Sequence, residues 1–349
     1  MNTDIKIKKI RDIIDKKGVG GVIVERQNNF SWLTGGRGFI GLASEAACGS
    51  VLITKDSAYL ISNNIEIKRL LNEEAPGFKP LDFLWYEESK RADIIKEAAQ
   101  GGEVLSDMQL AAEFLEMRTV LTGDEIKFFT EISVQSAQVL EDVVKNVKAG
   151  MSEFEFAGEI SKGLWSLGIE PITMLYAFDE RAFNYRHFPP TANKLKKYVI
   201  ASICSRKGGL IVSATRCAHI GKTPDEIARK YDHLCGVYAS LVNKMSPGES
   251  LPVLFEHIKA GYDKKYPGEA DLHHQGGVTG YMAREIRAMP GVEYTVRSNQ
   301  VYAWNLTITG TKIEDMILVK ENGREIITHT GNFEYTTVDG VKIPKIINL

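Results

Sequence analysis

Helix start signals and β-rich segments follow one another in a definite order after residue 120, and this order restricts the possible folds. Thr122-Gly-Asp-Glu125 and Ser152-Glu-Phe-Glu155 both have the form of a capping box, in which a hydroxyl and a carboxylate satisfy free amide donors. Apolar residues then recur at helical spacing, up to stops at Gly150 and Gly168. Thr223-Pro-Asp-Glu226 predicts a third helix with proline at its first position, where the missing N–H costs nothing. The β-rich segments are 197–204, 208–218, 300–309 and 313–319.

The first third of the chain has a different pattern, in which short helices and strands alternate. An amphipathic helix is predicted over 4–17, followed by a buried strand at 21–25 and a hairpin over 48–62. The remaining predictions are a helix at 64–73 and strands at 81–86 and 103–106. We therefore expect an α/β (α+β) protein with two domains, residues 1–119 and 120–349, joined by a short link.

Composition excludes several classes of function. A formal net charge of −2 leaves no basic footprint for nucleic acid or for an anionic membrane surface. The charged N-terminus has no signal-peptide core, and no apolar run reaches the length of a membrane span. The four cysteines form no C-x-x-C pair, which is typical of reduced thiols in a cytoplasmic protein. We expect no nucleic-acid partner, no membrane partner and a cytoplasmic location.

The order of motifs after residue 120 resembles that of a known family. The capped helix at Thr122 precedes KAGMSEFEFAGEI (148–160), a hairpin that ends in SATR (213–216), the stretch DLHHQGGVTGYMARE (271–285) and GTKIEDMILVK (310–320). This order resembles the pita-bread fold of creatinase, prolidase, aminopeptidase P and methionine aminopeptidase. The resemblance covers the whole chain. It implies a small creatinase-like α/β domain followed by a C-terminal antiparallel sheet flanked by helices.

The resemblance also shows which ligand positions are lost. The family's peptidases hold two divalent metals with two aspartates, one histidine and two glutamates. The matching positions here carry Ser202, Ser213, Gly277 and Asn305, and only Glu314 retains a ligand side chain. One carboxylate would face the four positive charges of two metals, and divalent ions need carboxylate or imidazole ligands. The chain is therefore a divergent member that we predict to use no metal and no other cofactor.

Three residues are predicted to carry the chemistry of such a metal-free site. His187 matches the position of the histidine that creatinase uses as its acid/base group, although Tyr185 fits the spacing of some members better. An imidazole titrates near neutral pH, as a proton shuttle requires. Glu285 and Glu314 would hold cationic or hydrogen-bonding groups of the substrate. A structural alternative for His187 is a packed position beside Pro189 and Pro190.

Arg284 replaces a second substrate-binding histidine of the family. Its planar guanidinium suits a substrate carboxylate, but an ion pair with Glu285 or Glu314 is an equal alternative. Creatinase completes its site across a dimer, so the resemblance implies a homodimer in which Arg37 could hold a substrate carboxylate across the interface. The favoured alternative for Arg37 is a solvated loop arginine. The other candidates for substrate contact are His273, His274, Asn305, Tyr185, Arg186 and Arg37.

Cys204 and Cys217 lie on predicted strands near the vacated ligand positions. Each is a buried structural cysteine or, as the alternative, a nucleophile activated by His187.

Three functions follow from these patterns. The first is a metal-independent, creatinase-like hydrolase or lyase that acts on a C–N bond of a small amino-acid-like or guanidino-like substrate. The second is an Xaa-Pro dipeptidase or aminopeptidase P-like metallopeptidase with an atypical site. The third is a non-catalytic pseudo-peptidase that binds a peptide, a metabolite or a protein without turnover. The sequence favours an enzyme and leaves its substrate open.

Overall fold

The computed structural model of the protein describes residues 2–349, and the chain falls into two units. Unit 1 ends at Thr119, and unit 2 comprises Val120–Leu349. Among the described residues, no helix combines the length and the apolar character that crossing a membrane requires.

Unit 1 is a five-stranded sheet with helices. Its helices are α1 (Thr3–Lys17), α2 (Gln27–Thr34), α3 (Ile67–Glu73), α4 (Lys90–Ala98) and α5 (Ala111–Thr119). Its strands are β1 (Gly21–Arg26), β2 (Ala46–Thr54), β3 (Ala58–Asn63), β4 (Lys79–Phe83) and β5 (Val104–Ser106). The sheet order is β4-β3-β2-β1-β5, with β2 antiparallel to both of its neighbours. Every predicted element of this unit is confirmed within a few residues, whereas α2, α4 and α5 were not predicted.

The helices of unit 2 begin close to the predicted signals. They are α6 (Gly123–Lys145), α7 (Glu153–Ser166), the short α8 (Arg181–Asn184), α9 (Asp225–Lys244) and α10 (Leu251–Asp263). Both capping boxes are confirmed, at Thr122 and at Ser152. The prediction for Pro224 was wrong by one position, since this residue is the N-cap of α9. The Thr223 hydroxyl is drawn away from the helix, because it donates to Asn348 Oδ1 at 2.8 Å.

The strands of unit 2 form one large curled sheet and one hairpin. They are β6 (Glu170–Phe178), β7 (Tyr198–Lys207), β8 (Leu210–His219), β9 (Gly276–Thr279), β10 (Ile286–Arg287), β11 (Gln300–Ile308), β12 (Thr311–Lys320), β13 (Gly323–Ile326), β14 (Tyr335–Val338), β15 (Val341–Pro344) and β16 (Ile346–Asn348). The main order is β10-β9-β11-β12-β8-β7-β6. The strand pairs along this order are antiparallel, while β16 adds to β8 in parallel. The predicted antiparallel sheet flanked by helices is confirmed.

Side chains alternate between the two faces of the large sheet along four of its strands. Helices cover one face, and the other face is open. Ala201 and Ile203 of β7 pack with α6 and α7, and Trp304 of β11 and Ile313 of β12 pack with α9 and α10. Successive side chains of a strand point to opposite faces, so the residues between these point away from the helices. That open face holds the side chains of Ser202, Cys204, Ser213, Thr215, Asn305, Lys312 and Glu314.

Candidate functional site

Strand register brings the vacated ligand positions together on the open face. Ser202 pairs with Thr215, Thr215 with Glu314, and Glu314 with Asn305 across four neighbouring strands. A cavity of about 490 Å³ lies over them. Its lining is Thr173, Leu175, His187, Ser202, Ile203, Cys204, His274, Met282, Ala283, Arg284, Arg287, Asn305, Lys312 and Glu314. A larger cavity of about 710 Å³ beside α9 and α10 contains none of the predicted site residues.

Lys312 lies two residues before Glu314 on β12 and therefore shares its face of the sheet. Its ammonium is 3.0 Å from Glu314 Oε2 and donates to Ser202 Oγ at 3.1 Å. Its side chain is only 3% exposed. The buried Lys312 ammonium thus contacts Ser202 and Glu314, which stand at the positions of the family's first and last metal ligands.

Arg284 contacts the remaining ligand positions from the other side of the site. Its Nη2 donates to Glu314 Oε1 at 3.0 Å and to Asn305 Oδ1 at 3.1 Å. Its Nη1 reaches Ser213 Oγ at 3.4 Å. Of the two alternatives for Arg284, the ion pair with Glu314 is the one formed in the structure, while Nε of Arg284 is buried without a hydrogen-bond partner among residues 2–349.

Glu314 is ionised and its two oxygens are both engaged. Oε1 accepts from Arg284, while Oε2 accepts from Thr215 Oγ1 at 2.8 Å and lies beside Lys312. Burial opposes ionisation, but the charges of Lys312 and Arg284 outweigh it and hold the pKa of Glu314 at about 2. This carboxylate neutralises and positions the two cations, so it has no free oxygen with which to take a proton from water.

Gly277, at the family's histidine position, has no space for a side chain. Its φ is +149°, and a Cβ built there would lie 2.0 Å from the carbonyl oxygen of Ile286. Gly276 is equally restricted, with a Cβ position 2.2 Å from the carbonyl oxygen of Ala303. The two glycines therefore serve close strand packing, and a histidine ligand does not fit at Gly277.

These residues do not fit the dinuclear metal centre that the resemblance implies. Two serines and an amide offer no anionic ligand, and the one carboxylate is already neutralised. A divalent ion here would be repelled by the Lys312 ammonium and the Arg284 guanidinium, because the residues at the ligand positions hold both cations in place. Lys312 and Arg284 supply the positive charge that metals would supply in a dinuclear site.

Three histidines lie together, of which His187 and His274 line the cavity, and the pKa of each is lowered. Burial, reinforced by Lys312 and the neighbouring imidazoles, lowers the pKa of His273 to about 3. Burial together with Arg284 and Arg287 lowers the pKa of His274 to about 4. Burial and Lys312 also lower the pKa of His187 from its usual value. Each ring can therefore accept a proton or a hydrogen bond, and none adds charge to the cavity.

A chain of hydrogen bonds fixes the protons of two of these rings. Arg284 can only donate, so Asn305 presents Oδ1 to it and Nδ2 to Nδ1 of His273, 3.4 Å away. His273 then carries its proton on Nε2 and donates to Nε2 of His187 at 3.2 Å. His187 is left with an unprotonated Nε2, whose lone pair accepts this hydrogen bond.

The rings of His187, His273 and His274 also form a cluster of side chains that could bind a metal, the one such cluster among residues 2–349. Their ring nitrogens lie within 4.8 Å of one another, and neutral imidazole is the form that binds metals. His274 also has a buried Nδ1 without a partner among residues 2–349.

Other predicted residues lie away from the cavity lining. Glu285 accepts from the backbone N–H of Met282 at 3.1 Å and is not part of the lining. Tyr185 is 56% exposed and also lies outside it. Arg186 forms a salt bridge with Glu269 and donates to Thr309 Oγ1 at 2.8 Å, which makes it a structural clamp. Of the two candidates for proton transfer, only His187 lines the cavity.

Arg37 belongs to unit 1, where its side chain is exposed. Cys204 lines the cavity, but burial and the charge of Glu314 raise the pKa of its thiol. Burial raises the pKa of the Cys217 thiol to about 12. Neither thiol is ionised at neutral pH, so the structural alternative accounts for both cysteines.

Sequence reasoning missed Lys312 and Arg287. Lys312 had a usable signal, because it stands two residues from Glu314 on a predicted strand and must share its face. Arg287 follows Arg284 by three residues and gave no such signal, since its strand β10 has only two residues.

Comparisons with known proteins agree with this architecture. The Creatinase/Prolidase N-terminal domain family matches residues 6–140, and Metallopeptidase family M24 matches residues 128–321. "Uncharacterized peptidase YqhT" of Bacillus subtilis is 24% identical over 93% of this chain and 98% of its own length. The Xaa-Pro dipeptidase of Pyrococcus horikoshii is 23% identical over 93% of this chain and 97% of its own length.

A solved structure extends the agreement to three dimensions. The prolidase of Thermococcus sibiricus superposes with a TM-score of 0.79 at 18% identity, covering 100% of both chains. At this identity the likeness establishes the fold, and the predicted pita-bread resemblance is confirmed. The names of these relatives favour the Xaa-Pro peptidase alternative over a creatinase-like reaction.

Proposed function

Since the chain belongs to metallopeptidase family M24, we propose that it is a hydrolase that cleaves the C–N bond of a short-peptide or amino-acid-like substrate without a metal. One observation supports the metal-free part above all others. Lys312 and Arg284 together contact the side chains of Ser202, Ser213, Asn305 and Glu314, which stand at the family's ligand positions. The relatives' names support the peptide-like substrate.

The two cations are suited to stabilising negative charge as it develops. An ammonium and a guanidinium fixed in a largely buried site act as preorganised electrostatic donors. When water adds to a carbonyl placed over them, a C–O bond forms and the carbonyl oxygen gains charge that Lys312 and Arg284 can stabilise. Glu314 keeps both cations in place.

Proton transfer falls to His187 in this proposal. Its Nε2 is unprotonated and it lines the cavity, so it can take a proton from the attacking water once the hydrogen bond from His273 to this nitrogen opens. The same proton then passes to the leaving nitrogen as the C–N bond breaks. A guanidino-like substrate is disfavoured, because its cation would face Arg284, Arg287 and Lys312 with one carboxylate between them. The homodimer, the cytoplasmic location and a role for Arg37 across a dimer interface stay predictions.

The test is hydrolysis of the dipeptide Ala-Pro by protein treated with a chelator and then freed of it. We expect turnover that added Mn²⁺ or Co²⁺ does not increase, and a loss of at least 100-fold in His187→Gln. His257→Gln is the matched control, because this histidine of α10 lies outside the cavity. Turnover that requires added metal would contradict the proposal, and binding without any turnover would favour the pseudo-peptidase.

A second candidate, a metallopeptidase with an atypical single-metal site, rests on the three histidines. Nε2 of His187 and Nε2 of His273 are 3.2 Å apart. Two imidazoles on one tetrahedral Zn²⁺, at about 2.0–2.1 Å each, have nitrogens roughly 3.3 Å apart. A nitrogen of His274 would have to move inward to complete the set. Zn²⁺ binding that is lost in His273→Gln and retained in Glu314→Gln would favour this candidate.

A further inference from the structure

The cavity of the candidate site has a smaller neighbour, which we call the side pocket. It measures about 350 Å³, which is within the size range of small-ligand pockets. His274 and Arg287 line both cavities and therefore stand between them, while His273 belongs to the lining of the side pocket. A ligand that extends from the candidate site past these residues would enter the side pocket.

The side pocket offers apolar contacts. Ala270 and Ala288 are buried in its lining, while Met289 is 51% exposed. The other apolar residues of the lining are Phe255 and Pro290. Apolar surface that a ligand removes from water contributes to affinity, and an unbranched methionine adapts to the shape of its partner. The lining thus favours an apolar side chain.

The charged residues of the side pocket balance one another. Lys259 donates to both carboxylate oxygens of Asp271, at 2.8 and 3.0 Å. Glu256 and Arg287, which are opposite in sign, are both exposed to water. A charged side chain would therefore gain little here, in contrast to the candidate site with its excess of cations. The occupant that fits this lining is a neutral group.

The proposed reaction indicates which part of a substrate reaches the side pocket. His187 would pass its proton to the leaving nitrogen, so that nitrogen would lie beside Nε2 of His187. Nε2 of His273 is 3.2 Å from the same atom, and the ring of His273 stacks on that of His274 with 4.5 Å between the ring centroids. Since both of these rings line the side pocket, the leaving half of the substrate would begin next to it.

We propose that the side pocket binds a large apolar side chain in the leaving half of the substrate. The residue of the leaving nitrogen itself remains in the first cavity, because His274 and Arg287 stand between the two cavities. The substrate class is then a tripeptide or longer peptide with an apolar third residue, such as Ala-Pro-Phe cleaved between Ala and Pro. This inference rests on the proposed function for the position of the leaving nitrogen, but its central statement concerns binding and is tested without turnover.

The experiment uses the tripeptides Ala-Pro-Phe, Ala-Pro-Ala and Phe-Pro-Ala. Calorimetric titration into the full chain carrying His187→Gln measures their binding without consuming them, and this change leaves the lining of the side pocket intact. Hydrolysis is measured separately with the natural protein. We expect Ala-Pro-Phe to bind about ten-fold more tightly than Ala-Pro-Ala. Phe-Pro-Ala carries the same side chains in the reverse order, so it reports which half of the substrate the pocket takes.

Variants of Met289 test whether the preference arises in the side pocket. Met289→Ser should reduce it to about three-fold or less, and Met289→Leu, which keeps an apolar side chain, should retain it. Met108→Ser is the matched control and should also retain it, because Met108 is a 65% exposed methionine of unit 1. The affinity for Phe-Pro-Ala should be the same in all of these proteins.

Three results would overturn the proposal directly: equal binding of Ala-Pro-Phe and Ala-Pro-Ala, a preference that survives in Met289→Ser, or no binding of any tripeptide. Weaker binding of Phe-Pro-Ala instead of Ala-Pro-Phe by Met289→Ser would also overturn it, because the pocket would then hold the other half of the substrate. Preference without hydrolysis by the natural protein would leave this inference standing and remove the proposed function. Hydrolysis without preference would do the reverse.

Discussion

Two buried charge clusters lie back to back on strands β8 and β12, and they are built in opposite ways. The Arg216 cluster (Glu141, Arg216, Asp315 and Thr328) faces the helices, and the Lys312 cluster (Arg284, Lys312 and Glu314) faces the cavity. Each nitrogen of Arg216 has an acceptor, at 2.8 Å to Glu141, 3.0 Å to Asp315 and 3.0 Å to the carbonyl oxygen of Thr328. Arg216 itself is fully buried.

The difference lies in the ratio of charges and in access to a ligand. The Arg216 cluster has two carboxylates around one guanidinium and lies outside the cavity lining. The Lys312 cluster has two cations around one carboxylate, an Arg284 Nε without a partner among residues 2–349, and a cavity beside it. A cluster that only supports the fold can be closed to a ligand, although Oδ2 of Asp315 likewise has no hydrogen-bond partner among residues 2–349. Cations in excess beside a cavity are instead available to a ligand or a reaction.

The largest effect is expected from removing Arg216. Arg216→Met would leave Glu141 and Asp315 buried without their cation, which should lower the free energy of unfolding by about 4 kcal/mol. Urea unfolding, followed by circular dichroism, measures it. Arg229→Met, at an exposed position, should change stability by less than about 0.5 kcal/mol. A loss of less than about 1 kcal/mol in the free energy of unfolding of Arg216→Met would contradict a structural role for this cluster.

A smaller effect is expected at Glu314, because the amide oxygen of a glutamine there can still accept a hydrogen bond from Arg284. Glu314→Gln should cost about 2 kcal/mol. The folded pKa of about 2 lies below the ordinary value, so Glu314 contributes stability above about pH 4 that is lost as the pH falls toward 2. The stability of Glu314→Gln should therefore decline less than that of the natural protein over this range. An identical decline in the two proteins would show that Glu314 is not held ionised by its cations.

The last effect concerns the pH dependence contributed by His273. Its folded pKa of about 3 is below the ordinary value of about 6.5, so the unfolded chain takes up this proton first as the pH falls. The stabilising contribution is complete above about pH 6.5 and is lost as the pH falls toward 3. His273→Gln should show a shallower decline of stability between pH 7 and pH 4. Unfolding measured at several pH values tests this, and an unchanged slope would contradict it.

Local signals predicted the helix starts well and the site only in part. The capping boxes at Thr122 and Ser152 depend on neighbours three residues apart, so the sequence contains all of the interaction. The cation pair depends on which strands are adjacent and on which face each side chain lies. Arg284 is brought to Glu314 by strands that are separated in sequence, and no local pattern shows that.

The same reasoning explains where the structure departs from local signals. Glu285 was predicted to hold groups of the substrate, but adjacent side chains point in different directions, and Glu285 lies outside the cavity lining. Pro224 was placed one residue too far into its helix, because the hydroxyl before it binds Asn348 far along the chain. Both depend on tertiary contacts, which composition and spacing do not contain.

The central claim is that Lys312 and Arg284 take the place of metal ions, and calorimetric titration with Mn²⁺ tests it most directly. Mn²⁺ prefers carboxylate ligands, so it reports on the family's ligand positions more than on the three histidines. We predict no stoichiometric binding up to millimolar Mn²⁺ by chelator-treated protein. Tight stoichiometric binding that disappears in Glu314→Ala would contradict the account and restore a metal-dependent peptidase.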